Sequence, residues 1–535
     1  MDKKYIGIIA VVAIIGIVAA ALFLGNTGVE RHPDEIVAAV GTHGGEPETG
    51  YDPILGWGSN SGTEPLIQST LFKKNSNLSL VNDLADTYSI SDDLKTYTVN
   101  IKENVKFHDN TSLTAKDVAF TYNEAKESGA ACDLSNMVNA TALNDTTIEF
   151  TLNESDSTFI NKLCIFGIVP EANYNNNTYG ENPIGSGPYK FVQWDKGQQV
   201  ILEINEDYYG KMPEFKKITI LFLENDAAFA AAKNGEVDIA EVPLSYANEK
   251  VNNMSVVILD SVDARGISLP TVPEGNKTED GIPIGNNVTS DESIRKALNY
   301  GISRQSLIDG ALNGHGQKSF DGIGQALPWS NNESAIEDGD VENAKKILKE
   351  GGWEDIDGDG ILEKNGTKAS FKVYYPASDS TRQAIAVSVA EQSKEIGIEI
   401  ITEGKSWDEI DSQKLSNGVV WGQGSSDPSL LNHLYNGKYA GDGYDNPAYY
   451  TNPTVDQHIN SALTSDINSS YSSWSQVSWD GSTGIAPAGD APWLWTVFVD
   501  YPYFVDNTLD ISKNTSTIQP HGGDIFGNIY DWKRV

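Results

Sequence analysis

Residues 182–210 read NPIGSGPYKFVQWDKGQQVILEINEDYYG, and the rest of the chain can be hung on this stretch. Gly185, Gly187 and Pro188 punctuate its start. Tyr189, Phe191 and Val192 then begin one strand, and 200–204 form its partner across Asp195, Lys196 and Gly197. The pattern predicts an antiparallel hairpin with a polar tip. Residues 205–210 leave it as a tyrosine-rich turn, and a further strand is expected within 213–222.

Working outward, Tyr97, Val99 and Ile101 alternate with polar residues as one face of a half-buried strand. Residues 106–118, KFHDNTSLTAKDV, turn from a loop into a helix, with Thr114 as N-cap and Asp117 three positions on. His108 sits among turn residues and reads as a folding residue. Residues 36–40 predict a strand, 65–71 a helix segment, and 227–242 an amphipathic helix stopped by Asn234-Gly235 and followed by a short strand. Helical spacing recurs at 291–310 and 340–353, and 371–401 reads as strand, helix, strand.

Taken in order, several of these segments resemble family 5 extracytoplasmic solute-binding proteins, the peptide and nickel receptors of ABC importers. They are GSGPY with the NEDYYG turn, KFHDNTSLTAKDV, AAKNGEVDI at 231–239, IRKALNYGISR at 294–304 and NPTVD at 452–456. The resemblance implies an α/β, two-lobed periplasmic-binding-protein-like fold (type II, cluster C) with an extra small subdomain in the first lobe. The corresponding boundaries are 1–35 for an N-terminal segment and tether, 36–270 for the first lobe with the subdomain at about 60–180, 271–490 for the second lobe, and 491–535 for a C-terminal return to the first. It also implies an ABC permease and, through it, an ATPase as partners, a monomeric receptor, and a solute held between the lobes.

Composition agrees with that placement. At 535 residues the chain divides into lobes rather than forming one core. A formal net charge of −37 argues against nucleic acid or an anionic membrane surface as partner. Two cysteines, Cys132 and Cys164, exclude paired C-x-x-C zinc sites and leave a disulfide open. N-x-[ST] sequons such as Asn77, Asn110, Asn139 and Asn287 suit a glycosylated outer surface. Residues 6–24 carry no charge, enough to span a bilayer after Lys3 and Lys4, so an uncleaved anchor with the lobes outside the cell is favoured over a cleaved signal segment. No Walker, H-E-x-x-H or G-x-S-x-G motif occurs, and an enzyme is not expected. A surface-layer or adhesive role would fit the anchor and sequons but not the lobe motifs.

The ligand is read from departures within the resemblance. Peptide-binding members anchor the peptide amine on an aspartate in W-x-x-D-Y-x-[DE]-P. The matching stretch, WGQGSSDP at 421–428, has Gly424 there, with Asp427 nearby. His43 and His521 lie in loops that the family brings to the cleft, each beside glycines. Neutral imidazole suits Ni²⁺. The favoured ligand is nickel or a nickel chelate, with an oligopeptide or dipeptide as alternative. Arg265 could pair with a ligand carboxylate, and Tyr51, Trp57, Trp421 and Trp495 could wall the pocket. No resident cofactor is expected. Asp355, Asp357 and Asp359 have the spacing of half an EF-hand loop, but Gly366 stands where its closing glutamate belongs, so a structural Ca²⁺ is less favoured than an acidic turn.

Overall fold

The computed structural model describes residues 32–40, 46–57, 66–130, 132–442, 444–512, 518–519, 521–523 and 525–535. The expected anchor at 6–24 lies outside them, and among the described residues no helix is long and apolar enough to cross a membrane.

The first strand among the described residues is β1 (Glu35–Ala39), and the chain goes on from it to a small subdomain. There β2 (Phe72–Lys74) and β3 (Leu80–Asn82) form a hairpin. Beside it β4 (Ala85–Ile90), β5 (Thr96–Ile101), β6 (Met137–Ala142) and β7 (Thr147–Leu152) make an antiparallel sheet in the order β4-β5-β7-β6. The alternation of β5 places Tyr97, Val99 and Ile101 in the subdomain core. The helix Ala115–Ser128 covers this sheet, begun by the Thr114–Asp117 capping box and ended at Gly129 with φ 61°.

The chain re-enters the first lobe through β8 (Tyr189–Asp195) and β9 (Gln199–Ile204), joined at Gly197 with φ 73°. β10 (Lys217–Leu221), β11 (Ile239–Glu241) and β12 (Met254–Leu259) follow, and the helix Asn225–Lys233 stops before Gly235 as its pattern predicts. Residues 66–68 form no helix, contrary to the sequence expectation, and GSGPY explains why. Gly187 N donates to Ile67 O at 2.9 Å and Tyr189 N to Leu66 O at 3.1 Å. A Cβ on Gly185 would lie 1.9 Å from Ile67 O, so the two backbones touch only because this residue is glycine.

From β12 the chain crosses to a second sheet at β13 (Ala264–Ser268). This sheet adds β14 (Gln317–Lys318), β15 (Ser370–Pro376), β16 (Glu399–Lys405), β17 (Gly418–Gln423) and β18 (Trp493–Phe498) in the order β14-β18-β13-β17-β15-β16. β15 and β16 are parallel, joined through the helix Ser380–Ser393. The chain then crosses back to β19 (Tyr501–Asp506), completing a seven-stranded sheet ordered β12-β19-β11-β1-β10-β9-β8. The C-terminal return therefore begins at β19 rather than at 491. β18 belongs to the second lobe because it pairs with β13 and β14. Two short crossings, 260–263 and 499–500, join the main sheets. Both cysteines are unpaired.

Candidate functional site

The site grows out of these crossings. Asp263 ends the first of them and is fully buried. A carboxylate there is tolerated only with partners, and it has three. Arg265 Nη1 at the start of β13 pairs with Oδ1, His521 Nδ1 lies 2.8 Å from the same oxygen, and Tyr501 Oη at the start of β19 donates to Oδ2. Burial alone would push the Asp263 carboxyl up. The Arg265 guanidinium and His521 outweigh it and hold the carboxyl below the usual range. Tyr501 Oη also accepts from Gly522 N at 3.1 Å, and His521 N donates to Gly424 O at 3.2 Å, fixing the C-terminal loop over the crossing.

A second guanidinium faces the same point. Arg382, on the helix after β15, has Nε 3.3 Å from Asp379 Oδ2 without hydrogen-bond geometry, and its guanidinium carbon is 5.5 Å from the Trp407 ring centre. Burial, and then the neighbouring Arg265 charge, pull it down to about 10. Arg265 Nε and Arg382 Nε are both buried without a hydrogen-bond acceptor among the described residues. Gly422 in β17 is where the groups converge. A Cβ there would lie 2.6 Å from Arg265 Nη1, 2.6 Å from His521 Cε1 and 2.8 Å from Arg382 Nη2.

His521 Nδ1 is taken by Asp263, and for Nε2 the described residues offer no partner. Its side chain is 35% exposed. Carboxylate, imidazole and a free ring nitrogen is the arrangement that orients a metal-binding histidine. The chemistry available is an imidazole nitrogen beside two guanidinia whose Nε–H groups lack acceptors among the described residues.

The other expected residues are placed as follows. His43 lies outside the described residues. Arg265 and His521 belong to the cluster. Trp421 is backed into the second lobe, with Nε1 donating to Ser268 Oγ at 2.9 Å, while the more exposed Trp407 stacks on it at 5.6 Å. Trp495 is a core residue rather than a pocket wall. It stacks on Trp493 at 4.6 Å, bonds Tyr435 Oη through Nε1, and is approached so closely by Gly266 and Gly322 that neither could carry a Cβ. Tyr51 is packed in the first-lobe core against Trp57, Phe191 and Trp194. No hydrogen bond or ring contact among the described residues joins Tyr51 or Trp57 to the cluster. Asp427 Oδ1 accepts from Ser429 N at 2.9 Å within the second lobe and from Asn161 Nδ2 of the small subdomain at 3.4 Å, and burial pushes its carboxyl up. Of the acidic loop, Asp355 and Asp357 cluster with Glu363 rather than with position 366, and the Lys368 ammonium sits 3.1 Å from Asp357 Oδ2 and beside Asp359.

Asp263, Arg382, Gly422 and Trp407 were missed. Asp263 is signalled only by its place two residues before Arg265, and Arg382 only by a cation in the first turn of a helix, where the dipole disfavours it.

The model of bacterial extracellular solute-binding proteins, family 5, matches residues 79–450. The chain belongs to that family. Among curated relatives, protein XP55 of Streptomyces lividans is 32% identical over 436 residues, covering 78% of this chain and 77% of its own. The oligopeptide-binding protein AppA of Bacillus subtilis is 30% identical over 410 residues, 69% and 72% of the two chains. Among solved structures, NikZ of Campylobacter jejuni in complex with Ni(L-His) superposes with a TM-score of 0.74 at 23% identity, covering 94% of this chain and all of that one. The fold is thus the two-lobed one of family 5, and the chain is an ABC-transporter substrate-binding protein acting outside the cytoplasm.

Proposed function

We propose that the solute is a small metal chelate, nickel carried by a carboxylate-bearing molecule, gripped between the lobes at the Asp263 crossing. The observation that carries this reading is the Asp263–His521 pair, 2.8 Å apart, which leaves an imidazole nitrogen available beside Arg265 and Arg382. His521 would donate to the metal and His43 would supply a second imidazole. The two guanidinia would take the carboxylate, satisfying their Nε–H groups and relieving the repulsion that burial intensifies. The Ni(L-His) complex of the Campylobacter protein is a ligand of this size and charge in the same fold. No catalytic step is needed. Contacts to both sides favour the closed state that a permease, coupled to its ATPase, would receive. Residues 6–24 would tether this receptor to the membrane.

An oligopeptide is the second reading, favoured by the 30% identity to the oligopeptide-binding AppA. Against it, a Cβ at Gly424 would lie 2.5 Å from Val262 O, so no anchoring side chain fits where peptide-binding members carry their aspartate. Isothermal titration with Ni²⁺, Ni²⁺ plus histidine, and a mixed peptide pool separates the two. Heat from the nickel chelate that vanishes in His43→Ala/His521→Ala is the expected result. Heat from peptides alone, unchanged in that variant, would overturn the nickel reading.

A further inference from the structure

Two contacts between the small subdomain and the second lobe share no residue with the Asp263 cluster. The first is made by the turn between β2 and β3. Asn75 Oδ1 accepts from Asn77 N and Ser79 N, both at 3.0 Å, and Leu78 N donates to Asn75 O at 2.9 Å. This turn holds Leu78 at φ 60°, a left-handed conformation that bulky residues rarely adopt. Phe72 and Leu80 of the same hairpin pack with the subdomain core, yet Leu78, 7% exposed, is buried with the second-lobe cluster that contains Trp329, Trp421 and Leu431. It is an apolar peg carried across from one lobe to the other. Beside it, Lys74 Nζ reaches to 3.5 Å from Ser426 O.

The second contact is made by Ser157, in the loop after β7. Its N–H donates to Leu463 O and its Oγ to Ala462 O, both at 2.9 Å. These carbonyls end the helix Pro453–Leu463; Ala462 O also accepts from Ser465 N at 3.3 Å, whereas Leu463 O has its backbone partner in Ser157. Ser157 thus caps a second-lobe helix from the first lobe, and Ile467 just beyond packs on the subdomain core.

We infer that Leu78 and Ser157 form a latch that holds the lobes shut in the absence of ligand. Opening would bare an apolar side chain fixed in a left-handed turn and at the same time orphan one helix-end carbonyl, Leu463 O. A pre-closed fraction reduces the reorganisation that ligand binding must drive, so the latch sets apparent affinity without touching the ligand. It operates whichever solute the cleft takes.

Hydrogen exchange on the full, ligand-free chain in detergent tests this. The segment containing the Ser157 amide is expected to be protected. Leu78→Asn keeps a residue that tolerates the left-handed backbone but removes the apolar peg. It is expected to speed exchange at Ser157 about tenfold or more while β5 and β7 keep their protection. Ser157→Ala, which removes one hydroxyl, is expected to speed exchange in the 75–80 turn several-fold by reciprocal coupling. Free exchange at Ser157 in the ligand-free parent chain would overturn the latch. So would unchanged exchange in both variants, or a loss of protection spread across β5 and β7, which would make Leu78 an ordinary folding residue.

Discussion

His108 and His521 both lie in loop stretches that the family resemblance singles out, and the structure gives them opposite roles. His108 Nε2 is 3.1 Å from Gly187 O, and its Nδ1 accepts from Gly185 N at 3.3 Å, so both ring nitrogens are spent on backbone. Burial pushes this imidazole down to about 4. It holds the GSGPY stretch against the subdomain. His521 has one nitrogen on a buried carboxylate and the other free. The difference teaches that a histidine's neighbours in sequence say little. What separates fastener from ligand donor is whether the second nitrogen already has a partner.

The largest effect should come from the anchor of the His521 side. Asp263→Ala would leave Arg265 buried and unpaired and is expected to cost about 3–5 kcal/mol in urea unfolding. A loss under about 1 kcal/mol would mean that the Asp263–Arg265 pair is not holding the crossing.

The His108 side is sharpened by pH. An unfolded histidine takes up its proton near 6.5, whereas folded His108 stays neutral down to about 4. Between those values the unfolded state binds more protons, so stability falls as pH drops through the window and levels off below it. The contribution is about 3 kcal/mol at most. His108→Gln should flatten that part of the stability–pH curve, and an unchanged slope would remove His108 as its source.

A smaller effect distinguishes the two arginines. Arg265 is paired with Asp263, while Arg382 is pulled down by burial and by Arg265. Arg382→Ala should leave thermal stability unchanged or slightly raised, yet weaken a carboxylate-bearing chelate roughly tenfold to a hundredfold, the worth of a charge-assisted hydrogen bond. Gly422→Ala should weaken it too, since its methyl would press on Arg265, His521 and Arg382 together. Reduced stability with full affinity in Arg382→Ala would make that residue structural.

Elements specified by local pattern were legible: the β8–β9 hairpin, the Thr114 capping box, the alternation in β5 and the stop at Gly235. Misreadings arose where a distant backbone decides. Residues 66–68 carry helix-compatible side chains but are drawn into extended contact by Gly185 and Gly187, over a hundred positions away. Trp493–Phe498 reads as a strand from its composition, but only its pairing with β13 tells which lobe owns it. Two residues of the site were readable, because Arg265 and His521 sit in recognisable stretches. Asp263, Arg382 and Gly422 become a site only because the crossing brings 263, 382, 422 and 521 to one point.

Equilibrium dialysis of the full chain against nickel–histidine, with bound nickel counted by mass spectrometry, tests the contrast most directly in the parent, His521→Ala and His108→Ala. About one nickel per chain is expected in the parent and in His108→Ala at low temperature and neutral pH, with a loss of at least about tenfold in affinity in His521→Ala. Nickel retained equally by His521→Ala, or bound by none of the three, would contradict the assignment of His521 as the metal's ligand.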